Sequence, residues 1–122
     1  MRALIVSHME NHQPDLDTIF HALADSTRRA VVQQLAVKEA SISELASPHD
    51  MALPSFMKHI RVLEASGLIA SIKHGRVRTC SIEPKRFAVM ETWLNEQRTL
   101  WEGRTSRLAE FVEALPTGKA TE

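Results

Sequence analysis

Lys58, His59 and Arg61 fall within four consecutive positions, and Lys73, Arg76 and Arg78 within six, in a chain whose net charge is zero. Ammonium and guanidinium groups at this density suit a polyanion, because they displace condensed counterions from phosphates and a lysine can reach guanine O6 or N7. The charge is local. Residues 1–57 sum to −3, residues 58–86 to +5 and residues 87–122 to −2. Exposed charges are screened beyond about 10 Å, so a basic segment can attract an anion even within a neutral protein.

Other chemistry has little support. Cys80 is the single cysteine, so no internal disulfide or cysteine-based zinc framework can form, which fits a reducing compartment. On a half-buried strand it reads as a small apolar filler, not a redox sensor or nucleophile. There is no Gly-rich phosphate loop, recognisable carboxylate pair or metal motif, so an enzyme is not expected. Of the six histidines only His8 and His12 have the i, i+4 spacing of a helical ligand pair, and they lie in the segment least suited to a helix. No metal within one element and no cofactor are expected.

The 122 residues, 43% apolar and 25% charged, suit one mainly α-helical domain. Apolar runs such as Ala3 to Val6 reach four residues, far below the roughly 18 needed for a membrane span, and no cleavage site follows. The expected location is the cytoplasm, with no membrane partner. Residues 1–14 read as a flexible segment, in which Met9 is an alternative start, residues 15–115 as the domain, and residues 116–122 as a tail.

Leu16, Ile19, Phe20 and Leu23 occupy one face of a first helix ending near Ala24. Asp25 or Ser26 can cap a second helix through about Val37, with Val31, Val32 and Leu35 inward. Arg28 and Arg29 at its start read as local ion-pair partners, with Asp25 one candidate. A short third helix is expected to begin at Ser43 and to end before Pro48. A fourth, with Pro54 in its first turn, runs through Ser66 to a stop at Gly67. Its inward stripe is Phe56, Ile60 and Leu63. Ser55, Lys58, Arg61 and Val62 then face outward, with His59 at the margin. A short helix, a tight turn and a second helix with a basic face is the helix-turn-helix pattern.

Residues 68–73 and 76–82 flank a His74-Gly75 turn and read as a two-stranded β-hairpin. With Cys80 and Ile82 inward, Arg78 and Arg76 share their side near the tip. A hairpin in this position is a wing, and its basic tip suits a minor groove or the phosphates beside it. From Pro84, apolar residues recur every seventh position at Phe87, Leu94, Trp101, Leu108 and Leu115, broadened by Met90, Trp93, Leu100, Phe111 and Val112. Continuous to Leu115, this helix is about 48 Å long, whereas a compact domain of this length has a radius of gyration of about 14 Å. An overshooting stripe needs a second surface, most simply another copy of the chain. Gly103 is the weak point at which the helix could break.

Three segments, Ala22 to Arg29 (ALADSTRR), Ile42 to Ala46 (ISELA) and Lys58 to Ile69 (KHIRVLEASGLI), together resemble the ArsR-type winged-helix repressors. The resemblance spans residues 16–115. It implies a winged helix-turn-helix, homodimeric through its first and last helices, whose fourth helix enters the DNA major groove. Ser26 stands where the family often has proline and Met57 where it often has serine. The third helix lacks the cysteine pair of metal-sensing members, so the chain is most similar to the metal-independent branch.

The expected partner is double-stranded DNA, met through Ser55, Lys58, His59, Arg61, Val62, Lys73, Arg76 and Arg78. The expected homodimer uses Leu16, Phe20, Phe87, Met90, Leu94, Trp101, Leu108 and Phe111. The alternative is a winged-helix module that docks another protein. A small-molecule or protein effector stays open.

Overall fold

The structure, a computed structural model, describes residues 14–115. The expectations for the terminal segments, for a start at Met9 and for His8 and His12 lie outside the described residues. The chain divides into two compact units, Met1–Val89 and Met90–Glu122.

In the first unit, helix α1 (Pro14–Leu23) buries Leu16, Ile19 and Ala22. Phe20, placed on that face by its spacing, is 38% exposed instead. Ile19 and Ala22 sit about 60° apart on a 100° wheel, whereas Phe20 lies about 100° beyond Ile19, so small Ala22 and not Phe20 completes the inward stripe. Helix α2 (Ser26–Val37) is capped by Asp25, whose carboxylate accepts from the Arg28 backbone N–H at 3.0 Å. Val31 and Leu35 are buried, and Val32 is only half-buried.

A strand too short to announce itself, β1 (Ala40–Ser41), leads directly into helix α3 (Ile42–Ala46). The expected cap at Ser43 is corrected to Ser41. Its hydroxyl accepts from Glu44 N at 3.2 Å, and the Glu44 carboxylate accepts from Ser41 N at 2.8 Å. This reciprocal box satisfies two otherwise unpaired helix-start amides and outcompetes a single hydroxyl cap.

Helix α4 (Leu53–Ala65) starts with Pro54 in its first turn, where the missing N–H has no intrahelical role. Phe56, Ile60 and Leu63 are fully buried. The helix stops at Gly67, whose φ of 81° is left-handed and open to glycine at little cost. The Arg86 side chain lies where a Cβ on Gly67 would be, and it pairs with Asp15 at 2.7 Å. Buried Ser66 closes the corner, donating to Leu63 O at 2.7 Å and accepting from Leu68 N at 3.2 Å.

Strands β2 (Ile69–His74) and β3 (Val77–Ile82) pair antiparallel from Ile69↔Ile82 to His74↔Val77, and β1 adds to the far side of β3, giving the order β1-β3-β2. The turn is Gly75-Arg76, one residue later than expected, with Gly75 at φ 62°. Arg76 therefore belongs to the turn and not to the strand. Cys80 is fully buried opposite both Ala40 and Ser71. Burial pushes its thiol above the usual range, which keeps it a poor nucleophile.

Helix α5 (Pro84–Glu113) begins in this first unit and continues unbroken through Gly103. Thirty residues make it about 45 Å long. In the second unit Leu94, Leu100, Trp101, Leu108 and Phe111 are all exposed, at 47 to 66%.

Candidate nucleic-acid interface

The side of α4 opposite Phe56, Ile60 and Leu63 carries exposed Ser55, Lys58 and Arg61, with Val62 half-buried beside them. The periodicity that buries one side therefore delivers the cations to the other. The loop ahead of the helix is held by His49, whose ring stacks on Phe56 at 5.5 Å between centroids. In the hairpin, Lys73, Arg76 and Arg78 are all exposed.

Arg78 is nevertheless tied to α4. Its guanidinium donates to Ser71 Oγ at 3.1 Å and lies 3.8 Å from the Glu64 carboxylate, which also accepts from the Ser71 hydroxyl. The network links the last turns of α4 to both wing strands, so the hairpin is positioned relative to the helix by side chains as well as by the chain itself. With its side chain 45% exposed, Arg78 keeps part of its guanidinium surface open.

Between wing and helix the structure forms a cleft that sequence reasoning missed. It measures about 340 Å³ and is lined by Ser41, Ile42, Ser43, Met57, Arg76, Val77 and Arg78. Two hydroxyls and two guanidinium groups around one concavity suit a phosphate oxygen. Ser41 and Ser43 carry no signal of this in the sequence, because the arginines that complete the cleft belong to a distant part of the chain.

The corner between α1 and α2 differs from expectation in its partners. Arg28 and Arg29 are structural, but they bind carbonyls more than carboxylates. Arg28 donates from Nε to Ala22 O at 2.7 Å and from a terminal nitrogen to His21 O at 3.2 Å, while Arg29 donates to Leu23 O at 2.9 Å. These cations meet carbonyls at the negative end of α1, of which His21 O also accepts from the Ala24 backbone N–H at 3.1 Å. Arg28 also reaches α4, with NH1 3.1 Å from His59 Nδ1. Asp25 Oδ2 stands 3.6 Å from the same ring atom. His59 is thus half-buried at the flank of α4, with a side-chain exposure of 22%.

The Asp25 carboxyl is held below the ordinary carboxylate range, chiefly by the Arg28 backbone N–H and further by the neighbouring Arg28 guanidinium and His59 ring. A depressed folded-state value means its contribution is present above the unfolded value and lost as pH falls through the folded one. Asp25→Ala is expected to cost about 1 kcal/mol of stability at neutral pH. That difference fades once the solution is acidified below about pH 4. Urea unfolding of both proteins, at neutral pH and again in acid, checks this.

Among the described residues, no group of three His, Cys, Asp or Glu is placed to hold a metal ion, and no helix is long and apolar enough to cross a membrane. Of the residues expected at a dimer contact, Leu16 is 6% exposed and belongs to the core of its own protomer, leaving little surface for a partner. Phe20 is exposed, and Phe87 and Met90 are half-buried. Phe87 borders two adjoining surface hollows together with Val32.

The helix-turn-helix domain family matches residues 23–72. The HTH-type transcriptional regulator Rv2034 of Mycobacterium tuberculosis is 29% identical over 98 residues, covering 80% of this chain and 89% of that protein. The crystal structure of the ArsR family transcriptional regulator RHA00566 superposes with a TM-score of 0.70 at 60% identity, covering 72% of this chain and 97% of the other. The homodimeric winged helix-turn-helix DNA-binding domain of Mb0332 from Mycobacterium bovis has the same fold, with a TM-score of 0.59 at 19% identity. That match covers 73% of this chain and 86% of the other.

Proposed function

The chain belongs to the ArsR family of DNA-binding helix-turn-helix transcriptional regulators, and from that premise we propose that it works as a repressor. In this reading a homodimer occupies an inverted-repeat operator whose half-sites lie about 10 bp apart or a multiple of that. The observation that carries it is the exposed cationic side of α4, bearing Lys58 and Arg61, with the wing cations Lys73 and Arg76 equally exposed.

Within this reading Ser55 and Lys58, near the start of α4, reach base edges, and Val62 offers an apolar contact beside them. Arg61, Lys73, Arg76 and Arg78 meet the backbone, and His59 meets a phosphate. Cationic contacts release counterions, so affinity falls steeply with salt. The dimer is supported by the apolar side chains that α5 leaves exposed at Leu94, Trp101, Leu108 and Phe111. Surfaces of that kind are ordinarily covered by a partner, and two-fold symmetry is the simplest way to supply one. The proposed dimer contact also includes Phe20, Phe87 and Met90, together with Leu16.

The active domain is residues 15–115, flanked by segments 1–14 and 116–122. It acts in the cytoplasm, without catalysis, a metal or a cofactor, by occupying a promoter.

The test is a mobility shift and footprint on the protein's own upstream promoter at low salt, repeated with divalent metals. A protected inverted repeat, unaffected by metal, is expected. Unchanged mobility of the promoter with a verified dimer removes the repressor reading and returns the α4 face to protein docking; a metal-dependent footprint removes the metal-independent part.

A further inference from the structure

His59 lies on the reading helix, yet one of its ring nitrogens is occupied from behind. The 3.1 Å approach of Arg28 NH1 to His59 Nδ1 bears on which tautomer the ring adopts. A guanidinium is always charged and offers only donors, so the atom it meets must present a lone pair. Nδ1 is therefore the acceptor, the imidazole is neutral, and its single proton is on Nε2. We infer that Arg28 holds His59 as the neutral Nε2–H tautomer, an oriented hydrogen-bond donor that meets the DNA backbone without carrying charge. The inference rests on the reading that α4 meets DNA.

Arg28 is the positioning residue. Its other nitrogens are anchored on Ala22 O at 2.7 Å and His21 O at 3.2 Å, and its backbone N–H is anchored on Asp25 at 3.0 Å. One side chain thereby joins the last turn of α1, the first turn of α2 and the flank of α4. Little freedom is left to the guanidinium, so the ring it contacts is held as well.

Protonating Nδ1 undoes the arrangement. The new N–H would face a donor and a like charge, while Asp25 Oδ2, 3.6 Å away, is free of that conflict and can accept it. The ring would turn from Arg28 to Asp25. The charged groups that meet the ring are Asp25, the cap of α2, and Arg28 in the first turn of α2. Strand β2 meets α4 further along, through Ser71 and Glu64.

A neutral donor and a cationic contact differ in their salt dependence. Losing a cation from each protomer lowers the magnitude of the log–log salt slope by nearly two, at about 0.9 per phosphate neutralised, whereas losing a neutral donor leaves the slope unchanged.

The experiment uses the full chain and a duplex from its own upstream promoter. At about pH 7.5 the long-range ¹H–¹⁵N imidazole spectrum is expected to show the Nε2–H tautomer for His59. His59→Ala is expected to weaken binding about 30-fold, two hydrogen bonds in the dimer, with an unchanged salt slope, while Lys58→Ala lowers the slope. His59→Gln restores a non-titrating donor near the Nε2 position and is expected to recover most of the loss.

An Nδ1–H or imidazolium ring at neutral pH, or a slope that falls with His59→Ala, overturns the inference. A promoter that wild type fails to shift overturns the repressor reading and the DNA contact together. A normal shift with an Nδ1–H ring overturns only the tautomer assignment.

Discussion

Lys58→Glu is expected to weaken binding to the upstream promoter about 100-fold, because each protomer loses a charged hydrogen bond of roughly 1.5 kcal/mol and the dimer loses two. Repulsion between the new carboxylates and phosphates adds to this. Lys58 is exposed, and no ion pair among the described residues involves it. Its replacement therefore leaves folding nearly untouched, within about 0.5 kcal/mol. Titration of labelled duplex at several salt concentrations, with a parallel urea curve, separates the two effects. A variant that folds normally and binds as tightly as wild type removes Lys58 from the interface.

Leu108→Asp is expected to dissociate the dimer. Leu108 is 63% exposed in the isolated chain, so the protomer loses little when it becomes polar. In the proposed interface two-fold symmetry makes the cost count twice. At about 2 kcal/mol for a well-packed interface position, the dimer weakens by roughly 1000-fold. Sedimentation at micromolar concentration is expected to give twice 13.7 kDa for wild type and 13.7 kDa for the variant. Operator binding falls with it, because a monomer reaches one half-site at a time. A wild-type mass of one subunit at those concentrations eliminates the dimer.

The regular elements were legible because periodicity is local. Phe56, Ile60 and Leu63 on α4 are buried as their spacing requires, and Gly67 and Gly75 stand where the chain needs positive φ. The errors arise where two residues do not make a period or where choice depends on distant partners. Ala40 and Ser41 have no pattern of their own and become a strand only because Cys80 and Thr79 lie opposite. Ser41 and Ser43 are equal caps by type, and Glu44 decides between them. Leu16 and Phe20 both read as apolar surface of the first helix, but packing sends one into the core and leaves the other out. The candidate interface was legible in the same uneven way. Its cations follow from the helical wheel, whereas the link from Arg78 to Glu64 and that from Arg28 to His59 join residues far apart in the chain. No spacing rule encodes them.

Ser41 closes the sheet against Thr79 and starts α3 with its hydroxyl. Wing and helix-turn-helix are consequently geared without a spacer: a tilt of the hairpin is handed to the first helix of the reading head across a single peptide bond. An effector that grips only the hairpin would steer both. Conversely, an extra glycine inserted after Ser41 would part the strand from the Ser41–Glu44 box that starts α3 and so uncouple the two.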